Sequence, residues 1–284
     1  MTPLARRRLL LVHAHPDDET LTTGGTMARY AADPDTSVTL VTCTLGEEGE
    51  VIPPALAMLA PDAADQLGGY RIGELAAACA ALGVTDHRFL GGTGRWRDSG
   101  MVLAGHGVRA ATPAELHPRA LAAVDAFADQ VDALTAVLEE VAPQVVVTYA
   151  ADGGYGHPDH VRAHEITVAA VRRVPEVLRL FATVIGRKTL DAGLAALESH
   201  PFRMPAPDEL PSVPDVDVTV DVAAYRSARL GALRAHATQV ALSDGPPVAY
   251  AMSNGVAQPL LEVEEFVLLA GEPVAGDDLF AGVA

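Results

Sequence analysis

Apolar positions fall along this chain in two alternating rhythms. Short runs rich in Leu and β-branched residues, at 8–14, 37–44, 87–90, 144–149 and 178–185, read as strands. Between them lie longer stretches with helical spacing, near 24–32, 70–82, 119–141 and 160–173. This alternation signals βαβ units. The first and fourth runs, Leu9-Leu10-Leu11-Val12 and Val145-Val146-Val147, are continuous, as expected of strands covered on both faces. The expected fold class is therefore α/β, a Rossmann-like, mainly parallel sheet flanked by helices. Residues 91–118 are rich in Gly, Arg and His without periodicity and read as a long loop, a length that usually serves function. The proline-rich stretch 199–214 reads as a linker, followed by a strand at 216–222, a helix at 223–237 and a last strand at 264–270. The expected organisation is a core over 1–198 with a smaller C-terminal α/β region, 199–284, packed on it.

Composition narrows the partners. A formal net charge of −17 argues against nucleic acid, whose phosphates call for basic clusters, and against an anionic membrane surface. No run approaches the ~20 apolar residues of a membrane span. Arg6-Arg7-Arg8 before Leu9-Leu10-Leu11-Val12 imitates a signal peptide, but the apolar run is too short and leads straight into His13 and His15. Cys43 and Cys79 sit in a strand-like and a helical run, so neither a disulfide framework nor a thiolate metal site is expected. The expectation is a cytoplasmic protein acting on a small molecule, its oligomeric state left open.

The chemistry lies at two strand ends. The first strand runs into His13-Ala14-His15-Pro16-Asp17-Asp18-Glu19, and the fourth into Tyr149 and then Asp152-Gly153-Gly154-Tyr155-Gly156-His157-Pro158-Asp159-His160. Open parallel sheets bind ligands beyond the carboxyl ends of their strands. Two distant segments thus deliver His, Pro and Asp to one edge. A catalytic zinc ion takes three protein ligands and keeps a place for water; His15, Asp18 and His160 suit that pattern. Asp17 is then left beside the metal as general base. His157 faces the substrate, with Asp159 fixing its tautomer and stabilising its charged form. Tyr155, on a glycine-flanked loop, is placed to donate to a developing oxyanion. Rival pairs exist: His160 and His164 stand four apart on one helix face, and His13 and His15 share one side of a strand. Spacing ranks the cross-strand site ahead of these without displacing them. His87, His106, His117 and His200 read as surface or structural. The donors are N and O only, favouring Zn²⁺ with Fe²⁺ as second candidate. Gly24-Gly25 after a strand hints at a dinucleotide binder, but no G-x-G-x-x-G follows, and a sugar-binding module without catalysis would not need a free Asp17.

The paired motifs resemble the LmbE-like (PIG-L) family of zinc-dependent N-acetylglucosamine deacetylases, over residues 9 to 270. Segments 42–50, 65–71 and 94–101 are similar to the members that act in mycothiol biosynthesis. The resemblance implies hydrolysis of the acetamide of an N-acetylglucosaminyl-inositol. It implies His15, Asp18 and His160 as metal ligands in place of His164, Asp17 as base, His157 as polarising acid oriented by Asp159, and Tyr155 as a further contributor. It also implies that Arg71 and Asp98 hold sugar and inositol hydroxyls, with Met101 and Glu50 among the substrate contacts. Glu47, Glu48 and Glu50 read equally as pocket lining or as a solvated turn. A sister amidase that cleaves mycothiol S-conjugates carries a Lys soon after the first motif, where this chain has Thr20-Leu21-Thr22-Thr23. Deacetylation of a natural-product glycoside is a third reading. Ala235-His236-Ala237-Thr238-Gln239 also looks like the family, with no role assignable from sequence.

Overall fold

The first apolar run forms β1 (Arg7–His13), whose Leu9, Leu10, Leu11 and Val12 are all fully buried. Alternate side chains enter two cores, since successive residues of a strand point to opposite faces. Leu9 and Leu11 join Val145 and Val147 against Met27, Leu75 and Leu82, whereas Leu10 and Val12 join Val146 against Leu134, Leu138 and Ile166. The computed structural model describes residues 6–104, 109–243, 245, 247–274 and 276–283. After β1 come α1 (Asp18–Ala31), β2 (Thr36–Thr42), α2 (Leu67–Leu82), β3 (Asp86–Phe89), β4 (Val102–Ala104) and β5 (Arg109–Ala111). Then follow α3 (Phe127–Val141), β6 (Val145–Tyr149), α4 (Pro158–Val171), β7 (Arg179–Val184), α5 (Arg187–Ala195) and β8 (Val218–Asp221). The chain ends with α6 (Arg226–Ala235), β9 (Ala241–Leu242), β10 (Ala249–Ala251), β11 (Gln258–Pro259) and β12 (Val263–Gly271).

The main sheet has seven strands in the order β3-β2-β1-β6-β7-β12-β8. Pairing is parallel from β3 through β7, and β12 runs antiparallel between β7 and β8. The expected α/β class with a mainly parallel sheet is what the chain adopts. From β1 the chain steps outward to β2 and β3, then returns to the other side of β1 as β6. Strand order reverses there, which opens a crevice at the carboxyl ends of β1 and β6. Both motif-bearing strand ends, His13 and Tyr149, flank that crevice.

Several elements depart from expectation. The helix expected at 24–32 starts earlier, at Asp18, because Thr22 and Thr23 return their hydroxyls to the carbonyls of Asp18 and Glu19 and so fit a helix despite poor propensity. The helix expected from 119 begins only at Phe127. Arg162 takes the carbonyls of Leu121, Ala122 and Ala123 and so holds that segment out of a helix. The long loop contains the β4–β5 hairpin, and His106 lies outside the described residues. The strands expected at 216–222 and 264–270 do form, as β8 and β12, and they extend the main sheet. Helix α5 and the small sheet β11-β10-β9 were not anticipated; strands of two or three residues carry no measurable alternation. Cys43 and Cys79 are free and buried. Among the described residues no helix is long and apolar enough to cross a membrane.

Phe181 on β7 and Phe266 on β12, both fully buried, meet edge to face with ring centroids 6.4 Å apart. Phe181→Ala is expected to cost about 3–5 kcal/mol of stability. The check is a lower urea midpoint at unchanged slope.

Candidate active site

Both motifs are helix N-termini. His157 caps α4, its Nδ1 accepting the Asp159 backbone N–H at 3.1 Å, and Pro158 occupies the first turn, where a missing N–H costs nothing. Asp159 and His160 follow within that turn. Gly153 (φ 65°) makes this packing feasible, since a Cβ there would stand 2.7 Å from the His160 Cβ. Its carbonyl lies 3.2 Å from His160 Nδ1. At the other helix, Asp17 precedes α1 with φ 105° and ψ −38°. For a residue with a side chain, that conformation costs on the order of 1–3 kcal/mol and persists only where neighbours enforce it. They do so here: the Asp17 carbonyl accepts from Thr20 and Leu21, and the Glu19 carboxylate accepts the Asp17 N–H at 2.9 Å.

Between the two helix ends, Asp18 Oδ2 stands 3.2 Å from His15 Nδ1 and 3.3 Å from His160 Nε2. Tetrahedral ligands at zinc-like bond lengths lie roughly 3.3–3.4 Å apart, and each of these two contacts is of that length. The remote nitrogens fit too. His15 Nε2 faces Asp159 Oδ2 at 3.2 Å and His160 Nδ1 faces the Gly153 carbonyl, the arrangement in which a ligating imidazole gives its other N–H to an oxygen. His160 Nε2 is buried and makes no hydrogen bond. Donor atoms of His15, His157 and His160 also cluster within 4.8 Å, as do those of His15, Asp98 and Asp159. The pair of contacts through Asp18 is the tighter, and its imidazoles keep their outer partners.

Charge at the site is unbalanced toward the negative. Burial opposes a charged His15, yet the carboxylates of Asp98, Asp159 and Asp18 raise its pKa well above the usual value. Burial likewise opposes a charged Asp18, and His160 and His15 hold its pKa well below the usual one. Asp98 is also held low against burial, by His15 and then His157. Asp17 differs: burial raises it to about 6, with Arg71 pulling down and Asp18 pushing up. That is a carboxylate poised to exchange a proton near neutral pH.

His157 corrects one expectation. Burial, and then His15 and His160, lower its pKa to about 2, so it is neutral. Its Nδ1 accepts the backbone N–H of Asp159, which leaves the proton on Nε2. The Asp159 carboxylate does not touch His157; it accepts from Ser99 N at 2.9 Å and lies against His15. Its charge therefore serves His15, and the tautomer of His157 is set by the helix backbone.

The remaining residues sort as follows. His13 is fully buried, 3.2 Å from the Tyr149 hydroxyl and 2.9 Å from Thr23 Oγ1, and His164 Nδ1 turns to the Tyr149 carbonyl at 2.8 Å, so neither joins the cluster. His87 pairs with Thr42, and His117 and His200 each accept a nearby backbone N–H. Tyr155 lies with its ring 5.1 Å from His160 and 6.0 Å from His157, and its carbonyl accepts from Ala110 of β5. Arg71, implied by the resemblance to hold sugar hydroxyls, is buried beside Asp17. It donates to Asp17 Oδ2 at 2.8 Å and to the carbonyls of Gly46 and Pro16. Asp98 is buried against His15 at 3.5 Å and accepts from Gly100 and Glu48 backbone N–H groups. Met101 and Glu50 are exposed, and Glu47 is buried, accepting from Leu45 and Asp98 N–H groups. Sequence reasoning missed Tyr149, whose ring stacks on His160 at 4.2 Å, and the buried pair of Glu19 with His236. The first was signalled by an aromatic closing the fourth strand; the second joins positions too distant for spacing to reveal.

Comparisons with known proteins identify the family. The family model described as PIG-L: GlcNAc-PI de-N-acetylase matches residues 10–171. A protein of Actinosynnema mirum named 1D-myo-inositol 2-acetamido-2-deoxy-alpha-D-glucopyranoside deacetylase is 60% identical, over 100% of this chain and 99% of its own. A protein of the same name from Mycobacteroides abscessus is 52% identical over 99% of each. Among solved structures, the zinc-inhibited form of teicoplanin deacetylase Orf2 superposes with a TM-score of 0.50 at 25% identity, over 81% of this chain and 84% of its own.

His160→Ala is expected to lose metal affinity by more than the roughly 10–100-fold typical of removing an outer partner. His164→Ala should purify with wild-type metal content. Elemental analysis of both proteins decides, and full occupancy in His160→Ala sinks the assignment.

Proposed function

The chain belongs to the PIG-L (GlcNAc-PI de-N-acetylase) family, and we propose that it hydrolyses the acetamide of 1D-myo-inositol 2-acetamido-2-deoxy-α-D-glucopyranoside. The products are acetate and the free amino-sugar on the path to mycothiol. The observation that carries this reading is Asp17, strained in its backbone and held by Arg71, beside an N/O donor set of His15, Asp18 and His160.

His15, Asp18 and His160 would hold a divalent ion, read as Zn²⁺ with Fe²⁺ as the second candidate, which would supply Lewis-acid polarisation and lower the pKa of water toward neutrality. Asp17 takes the proton of the attacking water and passes it to the departing amine, a transfer its pKa of about 6 allows in both directions. Arg71 holds the Asp17 carboxylate at 2.8 Å and so fixes the direction of its lone pairs. His157, neutral with its proton on Nε2, and the Tyr155 hydroxyl donate to the oxygen on which negative charge develops. Asp159 orients His15. Asp98, Met101 and Glu50, with the loops that carry them, form the substrate side of the crevice. The whole is read as a cytoplasmic enzyme acting on a small molecule.

Asp17→Asn is expected to keep its metal and its fold and to lose on the order of 10²–10⁴-fold in turnover. Acetate release from the inositol sugar, run beside a thioether conjugate of mycothiol, tests the rest. Preferential cleavage of the conjugate would replace the deacetylase reading with the amidase one.

A further inference from the structure

His236 closes α6, at the far end of the chain from the catalytic motifs, yet it is fully buried beneath one of them. Its Nε2 lies 2.7 Å from Glu19 Oε1, and Glu19 is also fully buried. The other Glu19 oxygen, Oε2, accepts the backbone N–H of Asp17 at 2.9 Å. Beside His236, Thr238 gives both its N–H and its hydroxyl to Glu74 of α2 at 2.8 and 2.7 Å, and its carbonyl accepts from Ile52. The segment is thus anchored independently of the pair it forms.

We propose that His236 is a positioning residue for the reaction: through Glu19 it holds Asp17 in the backbone conformation from which its carboxylate acts. Asp17 adopts φ 105°, a region its side chain disfavours, so something must over-determine it. Arg71 grips the carboxylate from one side. The N–H is gripped by Glu19, whose buried carboxylate needs a partner to stay where it is. Its other contacts are the hydroxyl of its own neighbour Thr20 and His236. Of these, His236 alone belongs to a separate element and fixes the carboxylate against the body of the protein. Displacing a reacting group by about an ångström costs on the order of 100-fold in rate. Substrate binding and metal ligation involve other atoms and are left alone.

The inference rests on Asp17 being the base, and the test separates the two. His236→Gln keeps a donor within reach of Glu19, whereas His236→Leu keeps volume and removes the donor. The Leu protein should fold and load metal like the wild type, with kcat lower by at least roughly tenfold and KM within about twofold. The Gln protein should recover most of that kcat. In an Asp17→Asn background the Leu substitution should cost nothing more, because the position of a side chain that cannot act as base no longer matters. Wild-type kcat in His236→Leu, an effect on KM alone, or an equal loss in both backgrounds overturns the proposal. If the Leu protein does not fold, His236→Asn, too short to reach Glu19, is read by the same outcomes. Should that fail as well, a Gln protein that loads metal but falls tenfold or more in kcat overturns it, on the order set by a displaced base. An inert Asp17→Asn beside a fully active His236→Leu fails this inference alone; an active Asp17→Asn fails it together with the base assignment.

Discussion

The structure depends on keeping several carboxylates buried side by side at the mouth of the sheet. Asp17, Asp18, Asp98 and Asp159 are each at most 7% exposed, and the last three lie against one imidazole, that of His15. Like charges in a low dielectric repel strongly unless positive charge is supplied. The fold supplies it in layers. Helices α1 and α4 point their N-termini inward, and such ends favour anions by roughly 0.3–1 kcal/mol each. Arg71 meets Asp17. The carboxylates of Asp98, Asp159 and Asp18 in turn raise the pKa of His15 against the opposing effect of its burial.

From that requirement the topology follows. A site needing two helix N-termini and two imidazoles must sit where two βα turns face each other, and a doubly wound sheet offers this only where strand order reverses. Here the reversal lies between β1 and β6. The apolar runs that make β1 and β6 buried on both faces also make their ends rigid, which serves ligand geometry. Stability and chemistry thus draw on the same eight or so residues of each strand end, and the strain at Asp17 is carried by a body stiff enough to hold it.

Much of this was legible in the sequence because the decisive information is local. The continuous runs Leu9-Leu10-Leu11-Val12 and Val145-Val146-Val147 announce buried parallel strands, and the two His/Pro/Asp motifs follow them directly. What stayed hidden is relational. Residue type cannot say that Arg71 turns inward to Asp17, since its direction is set by carbonyls of Gly46 and Pro16 that belong to other elements. It cannot say which oxygen or nitrogen meets His157, because a helix cap uses backbone. The Glu19–His236 contact spans a separation of 217 residues, and only the packing of α6 on α1 and α2 brings it about. The late start of α3 is of the same kind, imposed by Arg162 from a neighbouring helix.

Arg71 is engaged with Asp17 and with the carbonyls of Gly46 and Pro16 through its terminal nitrogens, while its Nε has no partner among the described residues. On the proposed deacetylase reading, recognition of a sugar therefore draws on the rim as well. That rim is built from loops and from the β4–β5 hairpin: Glu50 stands exposed on one side, and Met101, Val102 and Leu103 on the other. The hairpin meets the loop that carries Tyr155 through the Ala110 N–H on the Tyr155 carbonyl at 2.9 Å and through Arg109, 3.5 Å from Asp152. On that reading, anything that seats against the hairpin also bears on the Tyr155 loop, and recognition of the sugar would be coupled to the residues proposed to stabilise charge. Asp17 is held separately, by Arg71 of α2 and by Glu19 of α1.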